Sequence, residues 1–268
     1  MSPLAQQGAS LLHRSVRSET PLAGGDLSDI ICAELDDGSR VVFKNGPLPM
    51  IEAQMLGCIS DGGAPAPTVL GANDTVLALS WIETSGSLRS GWASLGAALQ
   101  RLHANTAPRY GWQQNYAFGG LSITNTWHDN WPDFWAQCRL RPHLPALPPE
   151  IGRRIEALAQ DLPNRLPAKP SSALLHGDLW SGNILMQGQS LAALIDPACY
   201  YGDAEVDIAM LQLFDVPGAA FFDAYGSAQP GHEQRLAIYR LWPALVHLRL
   251  FGQGYLPLVD QQLKLAGA

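Results

Sequence analysis

Residues 174–210 read LLHGDLWSGNILMQGQSLAALIDPACYYGDAEVDIAM. A short apolar run ends in His176-Gly177-Asp178, Asn183 stands five residues past Asp178, and a second apolar run, LAALID, ends on Asp196. Short apolar runs bounded by turn formers suit buried strands. A carboxylate at a strand tip can face a substrate hydroxyl while a side chain five residues on reaches a metal. A second strand, paired beside the first, would bring in the other acid. Hard oxygen ligands such as Asp and Asn suit Mg²⁺. The plainer reading is a loop whose Asp and Asn merely satisfy backbone amides. A second acid at a strand tip, at this distance, weighs against it.

Working outward, SDIICAEL and RVVFKN are β-rich runs joined by Asp36-Asp37-Gly38, a hairpin-type turn, and the sheet region extends over about Val16 to Asn45. Gly24-Gly25 marks a tight turn or a close backbone approach. MIEAQMLGCI reads as a helix with Met50, Met55 and Ile59 among its apolar positions, GGAPAPTVLG as loop, and TVLALSWIE as a strand. From Ser90 the period turns helical. WASLGAALQRLHANT carries Leu95, Leu99 and Leu102 on one side, and NTWHDNWPDFWAQCRLRP is a helical segment dense in tryptophan. PEIGRRIEALAQDL is a helix broken off by PNRLPAKPSS. AEVDIAMLQLF, HEQRLAIYRLWPALVHLRLF and YLPLVDQQLKLA close the chain as helices.

The totals bound the function. A chain of 268 residues can hold one large domain or two lobes, and 47% hydrophobic residues make it globular. A net charge of -7 argues against a nucleic-acid partner, which needs a basic face. The cysteines at 32, 58, 138 and 199 are scattered without a CxxC pair, which suits a reducing cytosol. The N-terminus lacks the features of a signal peptide, and no apolar run is long enough to span a membrane. A cytoplasmic location, without membrane or nucleic-acid partners, is expected.

The pattern H-x-D-x-x-x-x-N followed by a strand ending in Asp resembles the catalytic segment of kinase-like phosphotransferases. Phosphoryl transfer needs positioning and charge neutralisation more than covalent chemistry. The likeness implies an α+β, two-lobed protein-kinase-like fold. Residues 1–83 would form a small antiparallel-sheet, nucleotide-binding lobe, and residues 84–268 a larger helical lobe for catalysis and substrate. Asp178 is then the expected base or orienter of the attacking hydroxyl, with Asn183 and Asp196 as Mg²⁺ ligands. Lys44 stands where such folds keep the lysine that holds the α- and β-phosphates of ATP, and Glu52 can pair with it. Gly24 and Gly25 are expected over the phosphates, and the backbone of Trp81, Ile82 and Glu83 against adenine.

HGDLWSGN, YYGDAEVDIAM, the late LFGQGYL, and W-x-x-x-W-P-x-F-W ahead of RLRP together resemble the fructosamine kinases, or ketosamine 3-kinases. These belong to the aminoglycoside- and choline-kinase-like branch of that fold. The likeness runs from about Gly24 to the last helix. It implies ATP-dependent phosphorylation of the sugar 3-hydroxyl of a ketosamine, a fructosamine or ribulosamine adduct of an amine. The phosphorylated adduct falls apart and releases the amine, a deglycation repair step. The substrate would be a glycated small-molecule amine or a glycated protein lysine. Asp207 matches an acid that buttresses the catalytic loop in related folds. The glycine-rich start is reduced to GGDLSD, which puts Asp26 near the phosphates, and Ser80 replaces an acid common in the lobe connection. With IDP in place of DFG and no long activation segment, control by loop phosphorylation is not expected.

Weaker signals complete the expectations. Aromatic faces pack on sugar rings and attract amine cations, so Trp180, Trp131 and Phe134 are expected around the substrate. Trp127 and Trp135 are read as core. His103 is expected as a satisfied core histidine, His176 as a brace for the catalytic loop, and His247 and Tyr255 as packing or pocket wall. The rival reading is a kinase for another hydroxylated amine, an aminoglycoside or choline. Aminoglycosides call for several acids in the C-terminal helices, and the last two offer only Glu233 and Asp260. A third reading, a silent nucleotide-binding protein, sits badly with an intact set of Lys44, Asp178, Asn183 and Asp196.

Overall fold

The computed structural model describes residues 1–22 and 27–268; Gly24, Gly25 and Asp26 lie outside the described residues. Helix α1 (Pro3–Leu12) starts on Ser2, whose hydroxyl accepts from the Ala5 amide, an N-cap of the usual kind. Strands β1 (Val16–Pro21), β2 (Ile30–Leu35) and β3 (Arg40–Lys44) lead to helix α2 (Pro49–Asp61), then to β4 (Val69–Ala72) and β5 (Leu77–Ser80). The strands form one antiparallel sheet in the order β1-β2-β3-β5-β4.

Alternation along the strands decides what each face meets. Ile31, Ala33, Leu35, Val41 and Phe43 cluster with Leu4 and Ala5 of α1, whereas Leu77 and Leu79 cluster with Leu56 of α2. Across the ladder Val42 pairs with Leu79 and Lys44 with Leu77. Lys44 therefore falls on the α2 face, where Glu52 occupies the first turn.

The rest of the chain is mainly helical. It comprises α3 (Leu88–His103), the hairpin β6 (Tyr116–Phe118) and β7 (Leu121–Ile123), α4 (Trp131–Phe134) and α5 (Pro149–Arg165). Then follow β8 (Ser172–Leu175), β9 (Ile184–Gln187), β10 (Ser190–Leu194), β11 (Tyr200–Asp203), α6 (Glu205–Phe214), α7 (Ala219–Tyr225), α8 (His232–Phe251) and α9 (Leu256–Leu265). Leu95, Leu99 and Leu102 of α3 join Trp131, Trp135, Tyr200, Tyr239 and Leu241 in the large core. Full burial of such a side chain contributes about 1.5–3 kcal/mol. Among the described residues no helix is long and apolar enough to cross a membrane.

Several local expectations are corrected. The two motif strands do not pair with each other: β8 pairs with β11, and β10 with β9. α5 continues through Pro163 to Arg165; a proline in the last turn removes one hydrogen bond without cutting the helix short. Val69–Ala72, read as loop, adds an edge strand to the sheet. Met50 is exposed. The tryptophan-rich stretch is no single helix: the short α4 passes into a π turn over Trp135–Leu140 and a 3-10 turn over Arg141–Ala146. Pro142 and Pro145 lack the amides a continued α-helix needs. Trp127 lies ahead of α4, partly exposed and stacked on Tyr201.

Candidate active site

β8 ends at Leu175 and delivers His176, Gly177 and Asp178 to a turn. The imidazole of His176 is fully buried; its Nε2 donates to the Ile195 carbonyl at 2.9 Å, and its Nδ1 accepts the Asp178 amide at 3.3 Å. The Ala198 amide returns a bond to the His176 carbonyl at 2.9 Å. Thus the two motif strand tips are joined through these loop contacts although the strands themselves are not neighbours. Gly177 has φ 82°, and a Cβ there would run into the Ala198 carbonyl. Only glycine fits this turn without strain. Buried Asp207 accepts the His176 amide at 2.7 Å and the Gly177 amide at 2.9 Å, the buttress expected of it.

Asn183 closes the next turn. Its Nδ2 donates to the Asp178 backbone oxygen at 2.8 Å and to Asp178 Oδ2 at 3.0 Å. The Ile195 amide bonds the Asn183 carbonyl at 3.1 Å. Just past β10, Asp196 has φ 53°, a left-handed backbone unusual for a residue with a side chain and frequent at functional positions. Its Oδ1 lies 2.7 Å from Lys44 Nζ, and Lys44 Nζ lies 2.7 Å from Glu52 Oε1. The structure therefore brings Lys44, Glu52, Asp178, Asn183 and Asp196 together at the junction of sheet and helical parts.

The electrostatics follow from burial and neighbours. Burial works against the Lys44 ammonium, but the Glu52 and Asp196 carboxylates more than offset it and raise its pKa. Burial pushes the Asp178 carboxyl up to about 7, aided by the Asp196 and Asp207 charges and opposed by the Asn183 amide. A carboxyl with a pKa near working pH is suited to take up a proton. The hydroxyl of Tyr116, in β6, donates to Glu52 Oε2 at 3.3 Å. Nothing in the local sequence flags that contact, which spans 64 residues.

The donor set fits a hard cation. Among the described residues no donor reaches Asn183 Oδ1 or Asp196 Oδ2, so one amide and one carboxylate oxygen are left open on residues tied together by the Ile195 amide. No group of three or more His, Cys, Asp or Glu among the described residues forms a metal cage by itself. A cation here would draw further ligands from water and phosphate, as Mg²⁺ does.

The remaining expected site residues divide. Trp180 is 40% exposed and begins a chain of rings: Phe214 at 6.4 Å, then His247 at 5.1 Å from Phe214, then Tyr255 at 5.1 Å from His247. Sequence reasoning missed Phe214. Trp131 and Phe134 are fully buried, stacked on each other at 5.4 Å, and Trp131 Nε1 donates to Tyr239 Oη. Neither can line an open substrate pocket; they belong to the core with Trp135. In the connection after β5, the Arg40 guanidinium lies 4.8 Å from the Trp81 ring centroid and pairs with Glu83. No loop hydrogen bond among the described residues uses the backbone of Trp81, Ile82 or Glu83. Ser80 accepts the Thr68 amide at 2.9 Å.

The family model of the fructosamine kinases matches residues 7–266. The "Probable ketoamine kinase" of Synechocystis is 34% identical over 272 residues, covering 93% of this chain and 90% of its own. A chloroplastic protein-ribulosamine 3-kinase of Oryza sativa subsp. indica is 30% identical, covering 92% and 79%. A crystal structure from Thermobifida fusca, assigned as a fructosamine-3-kinase, superposes with a TM-score of 0.89 at 29% identity and 98% coverage of both chains. The kinase-like fold and this likeness over nearly the whole length agree: the chain belongs to the fructosamine kinase family and is an ATP-dependent kinase.

Proposed function

We propose that this kinase uses ATP and Mg²⁺ to phosphorylate the 3-hydroxyl of the sugar in ketosamines, whose collapse then frees the amine in a deglycation step. The observation that carries the reading is that the hydrogen-bonded group of Lys44, Glu52 and Asp196 is tied to the Asp178–Asn183 pair through the Ile195 amide, which donates to the Asn183 carbonyl. The 3-hydroxyl is supported by the rice relative's name, a protein-ribulosamine 3-kinase. Residues 1–83 would hold the nucleotide, and 84–268 the catalytic and substrate groups.

Asp178 takes the proton of the sugar hydroxyl as its oxygen bonds to the γ-phosphorus and the bond to ADP breaks. Asn183 fixes the Asp178 carboxylate by holding Oδ2 and leaves Oδ1 to the substrate. Lys44, fixed by Glu52, neutralises phosphate oxygens; Mg²⁺ on Asn183 and Asp196 would supply further charge neutralisation when bound. The open backbone of Trp81, Ile82 and Glu83 would meet the adenine. Trp180 and the rings beyond it form the sugar-facing wall. An aminoglycoside would want several free acids in the last two helices, but Asp260 is already paired with Arg154 and Lys264, which leaves Glu233 alone. The four cysteines are free, which supports a reducing cytoplasm as the working compartment.

The test is ADP release with ATP and Mg²⁺ against ribulosyl-lysine, fructosyl-lysine, choline and an aminoglycoside in parallel. Turnover with one or both ketosamines and none with the others is expected. Turnover confined to choline or the aminoglycoside would overturn the proposal.

A further inference from the structure

Asp207 holds the catalytic loop by its backbone, and Asp207 is itself held. Its Oδ2, which accepts the His176 amide at 2.7 Å, also meets His103 Nε2 at 3.1 Å. The other ring nitrogen of His103, Nδ1, lies 2.8 Å from the Tyr225 hydroxyl. Tyr225 ends α7; its ring meets His103 edge-on, with centroids 5.6 Å apart, and stacks on Phe221 at 5.5 Å. A line of hydrogen bonds thus runs from α7 through α3 and α6 to the loop that bears Asp178. The outer end borders a cavity of about 490 Å³ lined by Pro170, Asp203, Phe222 and Arg235. That cavity includes the chain just ahead of β8, whereas Asp178 follows its other end. Among the described residues the Tyr225 hydroxyl has one hydrogen-bond partner, His103.

The chemistry of the line is directional. An ionised carboxylate only accepts, so Asp207 needs His103 to present an Nε2–H. A neutral imidazole carries one ring proton, so Nδ1 must then accept, and Tyr225 supplies the donor. With the proton on Nδ1 instead, a bare Nε2 lone pair would face Asp207 Oδ2 and push it away from the His176 amide. We infer that Tyr225 is a positioning residue: its hydroxyl fixes the His103 tautomer, and through Asp207 fixes the backbone that aims Asp178. Outer partners that set a histidine tautomer are a general device for orienting the group beyond it. The inference rests on Asp178 being the reacting carboxylate of the proposed kinase.

Tyr225→Phe deletes one oxygen and keeps the ring and its two aromatic contacts. In steady-state assays with ATP and the better ketosamine, kcat should fall roughly tenfold with both KM values and the unfolding temperature near wild type. His103→Gln offers Asp207 an amide donor that has no tautomer. In that background Tyr225→Phe should have no further effect on kcat, a non-additivity that packing alone would not produce. Unchanged kcat in Tyr225→Phe, or an equal loss in both backgrounds, would overturn the inference. Asp178→Asn separates the two layers. Turnover retained there overturns the site reading and this inference with it. An inactive Asp178→Asn beside a fully active Tyr225→Phe overturns this inference alone.

Discussion

Lys44 Nζ and Asp196 Oδ1 stand 2.7 Å apart across 152 residues of sequence. One ends β3 of the sheet and the other follows β10 of the helical part. Their contact ties the two parts at the point where the phosphates of ATP would lie. It also makes Lys44 the shared partner of two carboxylates, since Glu52 is equally close.

Removing that shared cation should hurt folding as well as binding. Lys44→Met leaves Glu52 buried and unpaired, a situation that costs about 3–5 kcal/mol. The double variant Lys44→Met/Glu52→Leu should recover most of that stability and none of the activity. Urea unfolding and ADP release on the same preparations check both halves.

Asp178→Asn alters the proposed proton acceptor and little else. Turnover should fall by about 10²–10⁴-fold, the usual worth of a positioned acid or base. ATP affinity, measured by equilibrium titration, should stay close to wild type. A matching loss of ATP binding would mean that Asp178 holds nucleotide instead.

Asp196→Ala opens the proposed cation cage and frees Lys44 from one partner. The expected result is loss of the Mg²⁺-dependent increase in ATP affinity, read by calorimetry with and without the metal. EDTA added to the wild-type protein should reproduce the loss, and excess Mg²⁺ should reverse it.

His143 provides a pH prediction remote from the cleft. Burial, with Arg249 and Arg139 close by, lowers its pKa from 6.5 to about 3. The folded protein therefore keeps His143 neutral where the unfolded chain would protonate it. Stability from this group is complete above pH 6.5 and drains away as pH falls toward 3, with a slope of up to about 1.4 kcal/mol per pH unit. In His143→Leu the acid limb of stability against pH should flatten by that slope. Parallel unfolding curves at pH 7 and pH 5 measure it.

Which residues gather at the junction of sheet and helical parts was more legible in the sequence than which strands pair. The closeness of Asp178, Asn183 and Asp196 was legible because the three stand at fixed spacing around two short strand ends. Lys44 and Glu52 were legible because a hairpin and a helix start are local signals. The partners of β8 and β10 were not, since short apolar runs say nothing about which strand lies beside which. Trp131 and Phe134 went to the core because aromatics at helical spacing look the same in a pocket wall and in an interior. Tyr116 and Tyr225 escaped notice for a different reason: their contacts cross 64 and 122 residues with no local pattern. Gly24 and Gly25, expected over the phosphates, lie outside the described residues.

The most direct test of the central claim is the position of the transferred phosphate. Phosphorus and carbon NMR of the reaction with ATP, Mg²⁺ and a ketosamine should show a new phosphate ester at sugar C3, followed by free amine as the adduct collapses. With Asp178→Asn the ester should form at least about 10²-fold more slowly. An ester at another carbon, or one formed at full rate by Asp178→Asn, would contradict the proposed aim of the strand-tip carboxylate.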